Sequence, residues 1–180
     1  MMTNAGEQLD GKTLYERQKT ARDLAGPTVI AANLEKPENI GSLLRVADAA
    51  GCAEVILAQD RRLRHRERIF ATAVETQNHV PWRVSLVDEF LAGAAAIGPN
   101  LIAIELTTTS RNVFEVALPR ACAFVIGNER YGIPDKILAA CNSAVHVPMF
   151  GVKGSMNVTH ALAVVLWEWR RQMGKQDNER

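Results

Sequence analysis

Cysteine is scarce in this sequence: Cys52, Cys122 and Cys141 are its three thiols, far apart and without a CxxC pair. An odd, scattered set gives no disulfide framework, zinc motif or redox motif, so reduced thiols are expected. Charge of one sign is missing as well, because 21 Lys and Arg stand against 20 Asp and Glu, a net charge of +1. No global field draws the chain to nucleic acid or to a membrane, and any RNA contact has to rest on local charge. No apolar run approaches the ~20 residues of a spanning helix. The opening MMTNAGEQLDGKTLYERQ has no apolar signal-peptide core, and a soluble cytoplasmic protein with no membrane partner is expected. His65, His79, His146 and His160 show no ligand spacing, and no metal site is expected. The absence of a Walker A loop and of GxGxxG leaves no support for a phosphate-cradling NTPase or a dinucleotide fold. Internal repeats and low-complexity segments are also lacking.

What is present is an ordinary globular composition, 47% hydrophobic over 180 residues, enough for one domain with a sizeable core. Residues 1–26 read as a polar arm, 27–173 as the domain and 174–180 as a polar tail. TVIAAN (28–33), AEVILA (53–58), NLIAIELT (100–107), CAFVIG (122–127) and AVHVPM (144–149) are short apolar runs of strand length, and HVPWRVS (79–85) is a weaker one. Helical spacing appears in GSLLRVADAAG, LVDEFLAGAAA and VTHALAVVLWEWRRQ. PDKILAACN reads as a helix with Pro134 in its first turn, and QDRRLRHRER reads as a charged connection. Strands that are continuous apolar runs, alternating with helices, predict an α/β fold with a mostly parallel sheet covered on both faces. In such sheets ligands sit at the carboxyl ends of strands.

Three loops in those places carry the candidate chemistry. In EKPENIGSLLR (35–45), Asn39 reads equally as a helix cap or as part of an anion site. Arg45 reads as a solvated partner of Asp48 or as a phosphate fork. In FVIGNERYGIP (124–134), Gly127 and Gly132 make turns or admit a ligand to the backbone. In VPMFGVKGSMNV (147–158), Ser155 or Asn157 can cap the last helix and Met156 can be core. Alternatively, the free backbone groups and the apolar wall suit an adenine ring.

Together, in this order, the three stretches resemble the three motifs of SpoU-type RNA 2′-O-ribose methyltransferases of the SPOUT superfamily, over about Pro27 to Arg171. The resemblance implies an α/β knot with a carboxyl-terminal trefoil knot. It also implies a homodimer, S-adenosylmethionine as cofactor with S-adenosylhomocysteine as product, and transfer of a methyl group to a ribose 2′-hydroxyl. With no amino-terminal RNA-binding module, tRNA is the favoured substrate. An rRNA substrate and a noncatalytic RNA-binding protein of the same fold are the alternatives. Carried over by position, Arg45, Asn39, Glu129 and Asn157 are the catalytic set. Leu106, Gly127, Ile133, Val147, Met149, Ser155 and Met156 surround the cofactor, mostly through main chain, and GSMN is expected to be a last strand meeting the closing helix. Arg61, Arg62, Arg64 and Arg66 of the basic run RRLRHRER, with Arg111, Arg130 and Lys153, are the expected RNA contacts.

Overall fold

The computed structural model describes residues 10, 11, 13, 26–63, 65–98 and 100–178. Most of the expected arm, and Arg64 of the basic run, lie outside the described residues. Seven parallel strands form one sheet: β1 (Thr28–Ala32), β2 (Glu54–Gln59), β3 (Trp82–Leu86), β4 (Leu101–Ile104), β5 (Arg111–Asn112), β6 (Ala123–Ile126) and β7 (Ser143–His146). Their order across the sheet is β3-β2-β1-β6-β4-β7-β5. The chain thus walks outward from β1 to β3, returns past β1 to lay down β4, and later inserts β6 between β1 and β4. That reversal beside β1 opens a crevice at the carboxyl ends of the central strands.

Both faces are covered. Val29 and Ala31 of β1 belong to one core with Leu43, Leu44, Leu162 and Trp169, while Ile30 and Ala32 belong to the other with Val87, Phe90 and Ile137. The period-2 alternation of a strand therefore feeds two apolar layers, which is why the strand sequences are uniformly apolar. The first face carries α1 (Pro37–Ala49), α2 (Arg66–Ala73) and α5 (Val158–Asn178), and the second carries α3 (Val87–Ile97) and α4 (Asp135–Leu138). In α5, Leu162, Val165, Leu166, Trp169 and Met173 form the buried stripe, and the Trp169 indole N–H donates to the Pro119 carbonyl at 2.9 Å. No helix among the described residues is long and apolar enough to cross a membrane.

Several expectations need correction. The charged connection contains α2: Ile69 and Ala73 are buried, Phe70 packs partly against the same core, and Arg66, Glu67, Arg68 and Thr72 keep RERIFATA polar overall. PDKILAACN yields only the four residues of α4, with Pro134 at its N-cap rather than in its first turn. The helix α5 runs through Asn178, past the expected start of the polar tail. GSMN is not a strand but open loop. Gly51, at φ +64°, follows α1 in the left-handed conformation expected of it.

The helices α1 and α2 meet at Gly41, where a Cβ would stand 2.5 Å from Thr72 Cβ and 2.7 Å from the Ile69 carbonyl oxygen. Gly41→Ala is expected to force the two helices apart and cost about 1–3 kcal/mol, read as a lower urea midpoint at unchanged m; an unshifted midpoint would show that this contact yields freely.

Candidate active site

The crevice is a cleft of about 740 Å³ lined from the carboxyl ends of four strands. Lys36 and Asn39 follow β1, Ile104 to Leu106 end β4, Gly127 to Arg130 follow β6, and His146 to Met149 end β7. The loop Gly154 to Asn157 and the start of α5 close it.

One chain of hydrogen bonds joins the three candidate loops. The Glu129 carboxylate accepts from the backbone N–H of Lys36 at 3.0 Å and of Glu35 at 3.3 Å, and from the Asn39 side-chain amide at 2.8 Å. Lys36 is the N-cap residue of α1 and offers no side-chain cap, and Pro37 opens the helix. The carboxylate of a distant loop therefore serves backbone donors at that helix start, where the helix dipole also favours negative charge. Asn39 consequently sits inside the first turn and does not cap. Its Oδ1 instead accepts from Asn157 Nδ2 at 3.0 Å. Asn157 Oδ1 in turn accepts from the Thr159 N–H at 2.8 Å and the Thr159 hydroxyl at 2.7 Å, capping α5. The residue that ends GSMN is thus both helix cap and cleft wall.

The second loop is held by its own contacts. Gly127 is required because a Cβ there would lie 2.1 Å from the Gly132 carbonyl carbon and 2.3 Å from the Ile133 nitrogen. Gly132, at φ +70°, faces the Glu105 carboxylate, which a Cβ would approach to 2.6 Å. These glycines fold the loop back on itself. Asn128, buried, donates to the Asn33 carbonyl at 2.7 Å and accepts from the N–H groups of Arg130 and Tyr131 at 2.9 and 3.1 Å. Glu105 accepts from the N–H of Leu106 at 3.0 Å and of Ile133 at 3.2 Å, tying the end of β4 to the same loop.

Of the residues singled out by sequence, Asn39, Glu129, Asn157, Leu106, Gly127, Val147, Met149, Ser155 and Met156 line the cleft. Ile133 does not line it; its side chain belongs to the core beneath and its backbone anchors Glu105. Arg45 is exposed on α1 outside the cleft. Six residues beyond Asn39, it is displaced by about 9 Å along the helix axis. Arg130 stands at the rim, its guanidinium 5.4 Å from the Tyr131 ring centre. Lys153 precedes the closing loop, and Arg111 is in β5. Arg62 and Arg66 lie away from the cleft, against Trp82 at the β3 edge of the sheet, while Arg61 is exposed just after β2.

Sequence reasoning missed Glu105, Asn128 and His146. Asn128 was legible as the polar residue inside the Gly-bracketed turn. Glu105 was hidden in a run read as strand, which in fact stops at Ile104. His146 Nδ1 lies 3.0 Å from the Ser110 hydroxyl, a pairing across 36 residues that no local pattern announces. Burial pushes the Cys52 and Cys122 thiols up to about 12 and Cys141 to about 11, so none supplies a thiolate nucleophile near neutral pH.

The comparisons with known proteins agree with this geometry. A model of the SpoU rRNA Methylase family matches residues 26–167. The 23S rRNA (guanosine-2'-O-)-methyltransferase RlmB of Neisseria meningitidis is 31% identical over 145 residues, covering 80% of this chain and 58% of that protein. The tRNA (guanosine(18)-2'-O)-methyltransferase TARBP1 of Mus musculus is 28% identical over 159 residues, 86% of this chain but 10% of that one. The chain therefore spans only part of the length of these relatives. The crystal structure of an AdoMet-bound rRNA methyltransferase from Sinorhizobium meliloti superposes with a TM-score of 0.76 at 22% identity, covering 84% of this chain and 58% of that one. With its parallel sheet, its three joined loops and a family match over residues 26–167, the chain belongs to the SpoU methylase family.

Proposed function

We propose that this chain is an S-adenosylmethionine-dependent methyltransferase that modifies a ribose 2′-hydroxyl of RNA, most directly of tRNA. The observation that carries this is the Glu129–Asn39–Asn157 chain, which draws all three family motifs around one cleft. The cofactor supplies an electrophilic methyl group on a sulfonium. The residues present fit it. Leu106, Val147, Met149 and Met156 form an apolar wall, the folded backbone at Gly127 and Ser155 offers main-chain hydrogen bonds, and Lys36 and Arg130 are cations for a carboxylate or phosphate. An rRNA substrate is the second reading, favoured by the Neisseria relative.

In this reading the chain contributes orientation and electrostatics. Asn39 and Asn157 are locked on one side by Glu129 and on the other by the α5 cap, and they orient the ribose and the arginine that serves it. Alignment of the reactants alone supplies up to ~7–11 kcal/mol. Arg45 is no general base, since guanidinium keeps its proton. It binds the phosphate beside the target ribose and stabilises the developing alkoxide, while the hydroxyl's proton passes to solvent water. Its place outside the cleft of one chain means that bound RNA, or a second copy of the chain, has to meet it at the cleft mouth. A homodimer is part of the proposal, supported by the exposed apolar side chains Leu106, Phe150 and Val152 around the cleft. A trefoil knot is another part, supported by the insertion of β6 between β1 and β4. Arg61, Arg111, Arg130 and Lys153 are proposed contacts to the RNA backbone, and the cytoplasm is the proposed compartment.

Incubation with methyl-labelled S-adenosylmethionine and separate tRNA and rRNA pools, followed by digestion to nucleosides, tests the reading. A labelled 2′-O-methyl nucleoside from the tRNA pool is expected. Label in rRNA alone favours the second substrate, and no label with no cofactor binding favours a noncatalytic RNA-binding protein. Arg45→Ala is expected to leave cofactor affinity within about twofold while turnover falls by roughly 10²–10³. Unchanged turnover removes Arg45 from the reaction, and Arg45→Lys separates the need for charge from the need for the planar fork.

A further inference from the structure

A second groove of about 440 Å³ lies at the β3 edge of the sheet, lined by Arg62, Leu63, Arg66, Trp82, Arg83 and Val84. By strand spacing β3 stands three inter-strand steps, or roughly 14 Å, from β6 at the centre of the methyl-transfer cleft. Three features of the groove belong together. Its wall is partly aromatic: Trp82 is half-buried, braced edge-on by Phe70 with ring centres 6.1 Å apart and planes at 72°. Its charge is one-sided: Arg62 and Arg66 are exposed and have no carboxylate partner among the described residues, whereas Arg83 is tied to Glu54 at 2.9 Å. Its guanidinium is already placed for stacking: Arg66 Cζ lies 5.6 Å from the Trp82 ring centre and 6.0 Å from that of Phe70.

Solvated surface arginines in a chain of net charge +1 commonly find acidic neighbours. Two with no carboxylate partner among the described residues, beside a braced indole on a strand paired with β2, form instead a surface complementary to a phosphate with an attached ring. Unpaired nucleotides are recognised in this way, with bases stacked on aromatic or guanidinium planes and the phosphate on arginine forks. An acidic protein segment satisfies the charges but makes no use of the aromatic plane.

We propose that this groove is a second RNA-docking site, taking a single unpaired nucleotide of the substrate outside the one that is methylated. Its phosphate sits between Arg62 and Arg66 and its base stacks at the Trp82–Arg66 pair. The proposal rests on RNA being the substrate. It makes recognition bipartite: the cleft aligns one ribose, and the groove grips the strand some distance away. Because Arg62 and Arg66 are exposed, their replacement leaves the core intact.

The test compares the full chain with Arg62→Gln/Arg66→Gln and with Trp82→Phe. Affinity for a dodecameric oligouridine is measured over a range of salt, S-adenosylmethionine affinity serves as control of the fold, and methyl transfer to the tRNA and rRNA pools is followed by the wild type. The double variant is expected to bind oligouridine about tenfold more weakly near physiological salt. Its log–log salt slope should be shallower by about 0.7, the contribution of the one lost phosphate contact, with cofactor affinity unmoved. Trp82→Phe should weaken binding without changing the slope. Wild-type affinity and slope in the double variant overturn the groove, even where the wild type methylates RNA and the reaction assigned above stands. Loss of affinity for an oligoglutamate peptide but not for oligouridine also overturns it, in favour of a protein dock. Weakened oligouridine binding by the variant, with no methyl transfer by the wild type, upholds the groove and rejects the reaction instead.

Discussion

A carboxylate accepts hydrogen bonds and donates none, and from that single constraint at Glu129 the orientation of the whole site follows. Asn39 has to turn its amide toward Glu129, which leaves its carbonyl oxygen for Asn157. Asn157 has to turn its amide toward Asn39, which leaves its own oxygen for the first turn of α5. Two side chains whose amides are easily flipped are thus fixed in sense by one ion. The same carboxylate meets the backbone donors before α1, so helix, loop and cap are set together. An interaction of this kind links residues 118 positions apart in the chain and gives the cleft one shape.

The fold supplies the setting for that chain. A parallel sheet sends all its carboxyl ends to one side, and the insertion of β6 next to β1 brings the Glu129 loop beside the start of α1. The turn from Gly127 to Gly132 is narrow, a Cβ at Gly127 meeting backbone and Gly132 holding a positive φ, and Glu105 clamps it from the end of β4. Rigidity here rests on backbone packing and on part-buried hydrogen bonds rather than on apolar contact. The apolar wall of Leu106, Met149 and Met156 remains open to solvent, as suits a surface that is covered when ligand binds.

Much of this was legible in the sequence, for physical reasons. Central strands such as TVIAA, buried on both faces, leave a continuous apolar run. A long helix such as α5 leaves a stripe at helical spacing. Asn39, Glu129 and Asn157 were legible only as members of motifs; no spacing rule tells that they touch, because their contacts depend on strand order. The helix α2 escaped because four of the eight residues of RERIFATA are charged or polar and only Ile69 and Ala73 are buried. The two-residue strand β5 is too short to have a period at all. The basic run reads as one set of RNA contacts with Arg130 and Lys153, yet the path into α2 carries Arg62 and Arg66 away from the cleft to the β3 edge. Glu105 was lost for the simplest reason: a strand end cannot be placed to the residue from composition.

The most direct test of the account is a double-mutant cycle between Glu129→Gln and Asn157→Ala, read by urea unfolding of both single variants and the double variant. These two side chains do not touch each other in the chain of bonds and are connected through Asn39. Orientation passed along that chain predicts a coupling of at least ~0.5 kcal/mol, whereas additivity within ~0.3 kcal/mol would mean that each loop is fixed independently and that Glu129 does not govern the site.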